Sequence, residues 1–330
     1  MHRREFIAGM AATAAGFGSI RAASAGPSEK LKFGYLLTPQ SQLGAGATVF
    51  AAEIEKRTQG RYSIEQFPNA ALGGEVEMLR AMQAGTVDMA FITGAPLPGI
   101  VPEVGVFNIP FLFRDTAHAH AVLDGPIGTK ALARFKGTDL IALAWGENGL
   151  RHLTNAKRPI VSAEDLKGLK LRLPESEVMI AGFKAMGADV SALPFPQLYK
   201  ALQTGQFDGQ ENPIATIQAS KFFQVQKYLS LSGHVYDPAI LFISPDVFGD
   251  LSEADKGAFV DAAKLAGEAS RKFAGDAQAK GVAELEAGGM QVTREIKRDS
   301  FVTAMASAIP GYEAKYGADL ITQIRNVSSS

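Results

Sequence analysis

The chain contains no cysteine, which excludes a disulfide, a thiolate nucleophile and a cysteine-bound metal. It also lacks a charge surplus. Lys and Arg number 33 against 34 Asp and Glu, with no basic stripe along the chain, so the electrostatic footprint of a nucleic-acid partner is missing. After the first 25 residues, no apolar run approaches the ~20 residues that cross a bilayer. There is no His-Glu-x-x-His and no Gly-x-Ser-x-Gly. "GAGATV" (44–49) has Val49 where a dinucleotide loop needs its third glycine. His118 and His120, two apart on a predicted helix, point to different sides. An enzyme reading has no residue to rest on, and neither a cofactor nor a metal is expected. What is present is ordinary globular material: 330 residues, 46% hydrophobic, enough for two domains.

The amino terminus, "MHRREFIAGMAATAAGFGSIRAASAG", combines a basic start, an Ala/Gly-rich middle and Ala23-Ser24-Ala25, the pattern of an export signal cleaved before Gly26. Arg3-Arg4 followed by Glu5-Phe6 resembles a twin-arginine signal, with a general secretory signal as the alternative. Residues 1–25 carry Arg3, Arg4, Arg21 and Glu5 away, leaving the rest slightly acidic. A protein of that charge needs local positive groups to hold an anion.

Two segments 120 residues apart share a pattern: "LRAMQAGTVD" (79–88) and "YKALQTGQFD" (199–208). Ala81/Ala201, Gln83/Gln203, Gly85/Gly205 and Asp88/Asp208 coincide, and each copy reads as a helix closed by glycine and followed by a strand. Upstream of the first copy the patterning predicts a strand at 32–38, a helix through Leu43, Ala47, Phe50 and Ile54, and a strand at 62–67. Upstream of the second it predicts a strand at 170–173, a helix at 176–186 and a strand at 189–193. Each half is then β-α-β-α-β, a mostly parallel sheet flanked by helices. The fold class expected is α/β, a protein of two lobes. Residues 140–155 and 228–244 carry the chain between lobes, 252–286 form a long helix that bridges the lobes, and the carboxyl-terminal part is further helix. Ligands in such sheets lie beyond the carboxyl ends of the strands, here at 37–40, 91–94, 172–175 and 210–213.

One of those ends is "GLKLRLPES" (168–176), an apolar strand that carries Arg172. A buried arginine must be paired, and its planar fork suits a carboxylate. The partner is either a ligand or a structural ion pair with Glu175 or Glu211. Asn212, in "FDGQENP", can bond a carboxylate or serve as a turn residue before Pro213. Arg151, on the crossing segment, offers a second positive charge or is a surface arginine. Glu75 opens a helix after "LGG", where a carboxylate also serves as first-turn charge.

The stretches "WGENGLRHLTNAKRPIVSAEDLKGLKLRLPES", "PFPQLYKALQTGQFDGQENP", "GHVYDPAILFIS", "LGGEVEMLRAMQAGTVDMAFI" and "FNIPFLF" resemble the solute-binding subunit of tripartite ATP-independent periplasmic (TRAP) transporters, dicarboxylate type. The resemblance covers nearly the whole mature chain. It implies a periplasmic, monomeric protein whose lobes close on an organic acid and deliver it to a two-part membrane permease. Lobe I would comprise 26–149 and about 237–285, lobe II 150–236, with 286–330 a helical segment packed on both. By resemblance, Arg172 fixes the ligand carboxylate, Asn212 bonds the same group, Arg151 is a second cleft arginine and Glu75 meets ligand hydroxyls. Gln40 to Gln42, Thr93, Phe111 and His234 to Tyr236 match variable lining positions. Gln197 departs from relatives that carry Glu there. The same lobes could serve a sensor subunit or an exported enzyme. A C4-dicarboxylate, a uronate or other sugar acid, a 2-oxo acid and a metal-bridged carboxylate all remain open as ligands.

Overall fold

The structure, a computed structural model, describes residues 28–329; the export segment expected at 1–25 lies outside them. The first repeat folds as β1 (Glu29–Tyr35), α1 (Gln42–Arg57), β2 (Tyr62–Phe67), α2 (Glu75–Gln83) and β3 (Met89–Thr93). Two helices, α3 (Thr116–Asp124) and α4 (Pro126–Ala133), lead to the long strand β4 (Ile141–Asn155). The second repeat is β5 (Lys170–Leu173), α5 (Glu177–Ala185), β6 (Asp189–Ala192), α6 (Leu198–Gln203) and β7 (Gly209–Pro213). After α7 (Ile214–Ala219) comes a second long strand, β8 (Tyr228–Ile243). The chain ends with α8 (Pro245–Asp250), α9 (Glu253–Ala287), β9 (Gln291–Thr293), α10 (Arg298–Ala304), α11 (Ile309–Tyr316) and α12 (Ala318–Asn326).

The two repeats pair identically. Strand order is β2-β1-β3-β8-β4-β7-β5-β6, with β1 parallel to β2 and β3, and β5 parallel to β6 and β7. The repeated aspartate has a structural reason. Asp88 accepts from the Lys32 main-chain N–H (2.7 Å), and Asp208 accepts from that of Lys170 (3.0 Å). In each repeat the acid after the helix thus ties down the strand that opened the unit. Gly85 and Gly205 take φ of 70° and 72°, the left-handed closure that favours glycine at a helix end.

β4 and β8 are antiparallel to each other and run through both halves. Their register shifts between Ala142 and Ala144, between Glu147 and Gly149 and between Arg151 and Leu153, so the long pairing that joins the halves is interrupted three times by irregularities such as bulges. α9 is capped by Ser252, whose side chain accepts from the Asp255 N–H, and packs Phe259, Ala262, Ala263 and Ala266 against the first repeat. Further along, Val282 and Leu285 pack with Leu198, Ile217 and Leu229. The long helix therefore serves both halves, as expected of a helix that bridges the lobes.

Two boundaries differ from expectation. β1 runs from Glu29 to Tyr35 rather than from 32 to 38: its last pairs are Gly34 with Phe67, where β2 ends, and Tyr35 with Phe91 of β3. Beyond that point Leu36 and Leu37 leave the sheet but stay buried. The carboxyl-terminal part is not purely helical, since β9 pairs in parallel with Tyr228 to Ser230 of β8. A strand of three residues is too short to show a period in the sequence.

Candidate functional site

The carboxyl ends of β1, β3, β5 and β7 converge on one small cavity of about 20 Å³, lined by Leu36, Leu37, Glu75, Thr93, Asn148, Arg151, Arg172, Pro174, Phe195, Asn212 and Thr216. Both repeats contribute, as the strand-end rule requires. Five of the nine residues singled out from the sequence meet here: Arg172, Asn212, Arg151, Glu75 and Thr93.

Arg172 is 2% exposed. Its Nε donates to the Leu193 carbonyl (2.8 Å), and its guanidinium lies 5.9 Å from the Phe195 ring centre. Among the described residues no carboxylate comes within ion-pair distance of it, and the expected alternatives, Glu175 and Glu211, do not pair with it. Burial lowers its pKa to about 10, against the raising influence of Glu211. The positive charge is thus held in a desolvated place, with its terminal nitrogens unmatched by protein acid.

Arg151 is as deeply buried, but it is neither a surface residue nor a free charge. Its Nε donates to Glu211 Oε2 (2.5 Å), one terminal nitrogen to Asp237 (2.7 Å) and the other to Glu211 Oε1 (2.7 Å). Burial works against its charge, yet Glu211 and Asp237 more than compensate and hold the guanidinium protonated. Two carboxylates face one cation, so Arg151 supplies no second positive charge to the cavity. Arg151 lines the cavity, as the resemblance implies, but its charge is matched by Glu211 and Asp237.

Asn212 is not a turn residue; it belongs to β7. Its Oδ1 accepts from Arg151 (3.3 Å) and its Nδ2 donates to Gln210, which leaves one amide hydrogen for a ligand. Glu75 stands at the first position of α2, but it does not cap the helix: Glu77 does, accepting from the Gly74 N–H (2.6 Å). The oxygens of Glu75 accept instead from the Thr93 N–H (2.6 Å) and the Thr93 hydroxyl (2.9 Å). Burial raises the Glu75 pKa to about 7 despite these two bonds.

Four expected lining residues lie elsewhere. Gln40 is exposed and borders a surface groove with Gln218, Phe273 and Lys280. Two positions on, Gln42 is buried and bonds Asn148 Oδ1 (2.7 Å) and Thr216 (2.9 Å). His234 sits behind the cavity, 3.0 Å from Glu211 Oε2. Tyr236 points to the opposite face of β8, where its hydroxyl donates to Glu147 (3.1 Å). Phe111 takes a left-handed φ of 58°, donates its N–H to the His234 carbonyl (2.7 Å) and packs beneath the Arg298 guanidinium. Resemblance brings a stretch of chain to the site, but alternation along a strand decides which side chain enters it.

Sequence reasoning missed Asn148, Thr216, Phe195 and Leu36 as lining residues, and Asp237 as a partner; Leu37 and Pro174 fall in the strand ends expected at the cleft. Asn148 is the residue left over at the β4 bulge, and its Nδ2 donates to Asp237 (2.7 Å). A bulge has no sequence period to betray it. Asp237 carried the same signal as Arg172: a charge within an apolar strand.

Residues 33–315 match the family described as bacterial extracellular solute-binding protein, family 7. A TRAP periplasmic solute-binding protein of Polaromonas sp. JS666, solved with D-erythronate bound, is 48% identical, with a TM-score of 0.90 over 92% of this chain and 100% of that one. One from Bordetella bronchiseptica, whose bound density is assigned to pantoate, is 44% identical, with a TM-score of 0.89 over 91% of this chain and 100% of that one. The 2,3-diketo-L-gulonate-binding periplasmic protein YiaO of Escherichia coli K12 is 35% identical over 98% of this chain and 97% of its own length. With the paired repeats and the strand-end cavity, these matches make this chain a member of solute-binding protein family 7, the periplasmic solute-binding proteins of TRAP transporters.

Proposed function

We propose that this protein captures a short organic acid anion by one carboxylate on Arg172 and presents it to the membrane subunits of a TRAP transporter. One observation carries the reading: a fully buried guanidinium without a protein carboxylate, facing a cavity. Such a charge is costly until an anion reaches it, and the two terminal nitrogens of an arginine match the two oxygens of a carboxylate. Asn212, with one free amide hydrogen, is suited to the same group. The relatives named above bind erythronate, pantoate and diketogulonate, each with one carboxylate.

In this reading lobe I is 26–149 with about 237–285, lobe II is 150–236, and 286–330 is packed on both. The lobes close about the β4 and β8 crossings, on the μs–ms scale expected of hinge motions. Export through the twin-arginine route with removal of residues 1–25 completes the proposal. A thermal-shift screen with organic acids tests it, because a ligand that binds only the folded state raises the melting temperature. Acids should raise it, and Arg172→Ala should weaken binding by about two decades or more, consistent with the ~3–5 kcal/mol lost when a buried charge pair is broken. Shifts with amines or neutral sugars but with no acid would reject the reading.

A further inference from the structure

A second cavity, of about 250 Å³, lies away from the strand ends and shares no lining residue with the cavity there. Four segments enclose it: the 3-10 helix Pro102–Asn108, α4, α11 and α12. The 3-10 helix supplies an apolar floor of Val104, Val106 and Phe107, all buried. On α4, Ile127, Lys130, Ala131 and Arg134 recur at the spacing of one helix face, so the half-buried pair Ile127 and Ala131 faces the cavity flanked by two cations. Leu320 of α12 extends the apolar wall, and Lys315 of α11 brings a third cation. Against these three the lining holds one acid, Glu103. Its pair with Arg134 is 3.7 Å long between side chains more than half exposed, and Lys315 meets Glu177 at the same distance. Pairs so long and so wet hold weakly, and Lys130 pairs with no carboxylate among the described residues. Tyr316, also in the wall, is 9% exposed, and its hydroxyl has no hydrogen-bond partner among the described residues. Buried polar groups are nearly always bonded. That hydroxyl presses on the main chain of Gly105, where an added Cβ would collide with it, between the floor residues Val104 and Val106.

We propose that this cavity is a second binding site, separate from the cleft, for a free amphiphilic carboxylate: an acyl or aryl body lies on the floor of Val104, Val106 and Phe107, with its charge among Lys130, Arg134 and Lys315. Each half of that chemistry has its counterpart in the wall. Ile127, Ala131 and Leu320 are only half-buried, and an apolar body would take their remaining surface out of water. Three cations against one acid, in a chain that is slightly acidic after residue 25, set up a local positive field that attracts an anion and repels an amine. A polyhydroxy acid suits the site poorly, because hydroxyls laid against an apolar floor lose their water without gaining partners. The Tyr316 hydroxyl is the one donor in the wall left for a bound acceptor.

Calorimetric titration with sodium octanoate tests the site, on the mature protein with D-erythronate in excess and on Arg172→Ala, which lacks the cleft anchor. Octanoate should bind both with the same affinity. Butyrate, hexanoate and octanoate should tighten in that order, by roughly two- to fourfold per added methylene, and octylamine should not bind. Lys130→Glu should weaken octanoate by about fivefold or more, since it removes one attraction and adds one repulsion. Ala131→Trp, which fills the cavity, should abolish octanoate binding and leave the cleft unaffected. Should that variant not fold, Lys130→Glu, a change at an exposed position, still decides. Octanoate binding that erythronate displaces, or that Arg172→Ala loses, would belong to the cleft and overturn the proposal. So would an affinity indifferent to chain length or to Lys130→Glu, equal binding of octylamine, or no saturation below about 1 mM. Retention on phosphatidylglycerol vesicles without octanoate binding would assign the cations to a lipid surface and overturn it as well.

Discussion

Arg151 and Arg172 are buried equally, yet they contribute to stability with opposite sign. Arg151 satisfies Glu211 and Asp237. Arg151→Met would strand both acids in the interior and should cost ~3–5 kcal/mol. Arg172 satisfies no acid, so Arg172→Met removes a desolvated charge and replaces it with an apolar chain of similar length. It should stabilise the ligand-free protein by about 1 kcal/mol or more while abolishing binding, a trade often seen at functional sites. Denaturant titration of protein refolded free of ligand measures both; a loss of stability in Arg172→Met would mean that protein groups already satisfy the guanidinium. From the sequence, the charge in an apolar strand identified Arg172 correctly as an anomaly. The same anomaly occurs at Arg151, Glu211 and Asp237, and nothing in the sequence says which of the four is left unpaired. That depends on side-chain directions across four strands.

His152 shows what an element can impose on a single side chain. It lies where β4 and β8 lose register, between Arg151 and Leu153, and three extra residues of β8 loop out opposite it. The Gly233 N–H donates to His152 Nδ1 (3.1 Å), so Nε2 carries the hydrogen that bonds Gln278 (3.1 Å). The imidazole is a neutral plug in the bulge. Burial lowers its pKa to about 4, so the unfolded chain takes up the proton first. Its stabilising effect is complete above the ordinary histidine value of about 6.5 and is lost as pH falls from there towards 4. Glu75 acts in reverse: with its pKa raised to about 7, it opposes folding increasingly as pH rises from about 4.5 to 7. Since the two offset each other between pH 4.5 and 6.5, the effect must be read as a difference. His152→Leu should be less stable than the unaltered protein at pH 7, with the gap narrowing steadily towards pH 4.5 in denaturant midpoints. A gap of constant size would mean that His152 does not titrate differently on folding. At this scale the repeats were legible, because a helix closed by glycine and tied by an aspartate leaves a fixed mark: β2 and β5 fall where the patterning put them. The bulges were not legible, since an added residue that breaks alternation looks the same as a strand end.

α9, like β4 and β8, serves both halves of the molecule. Its 35 residues extend roughly 50 Å at 1.5 Å per residue. Gly267 is pressed against the first half: a Cβ there would lie 2.1 Å from the Trp145 carbonyl oxygen. Gly281 is pressed against the second, where a Cβ would lie 2.3 Å from Gln218 Oε1 and 2.6 Å from Ile214 Cγ2. Ile214 and Gln218 belong to α7, the helix that carries Thr216 to the cavity. Thr216 in turn accepts from Gln42 of the first repeat (2.9 Å), so the seat of α7 on α9 sets where the two halves meet around the ligand. A side chain at 281 would push α7 outward without touching the cavity. Gly281→Val should keep its secondary structure but bind the acid about tenfold more weakly, because the closed arrangement loses its fit and the competent fraction falls. Small-angle scattering should show less compaction on adding ligand than in the unaltered protein. Gly275 lies on the same helix with nothing within 4 Å of an added Cβ, so Gly275→Ala should bind normally and gain about 0.5–1 kcal/mol from helix propensity alone. If Gly281→Val binds and compacts like the unaltered protein, α9 is only a strut, and closure is governed entirely by the β4 and β8 crossings.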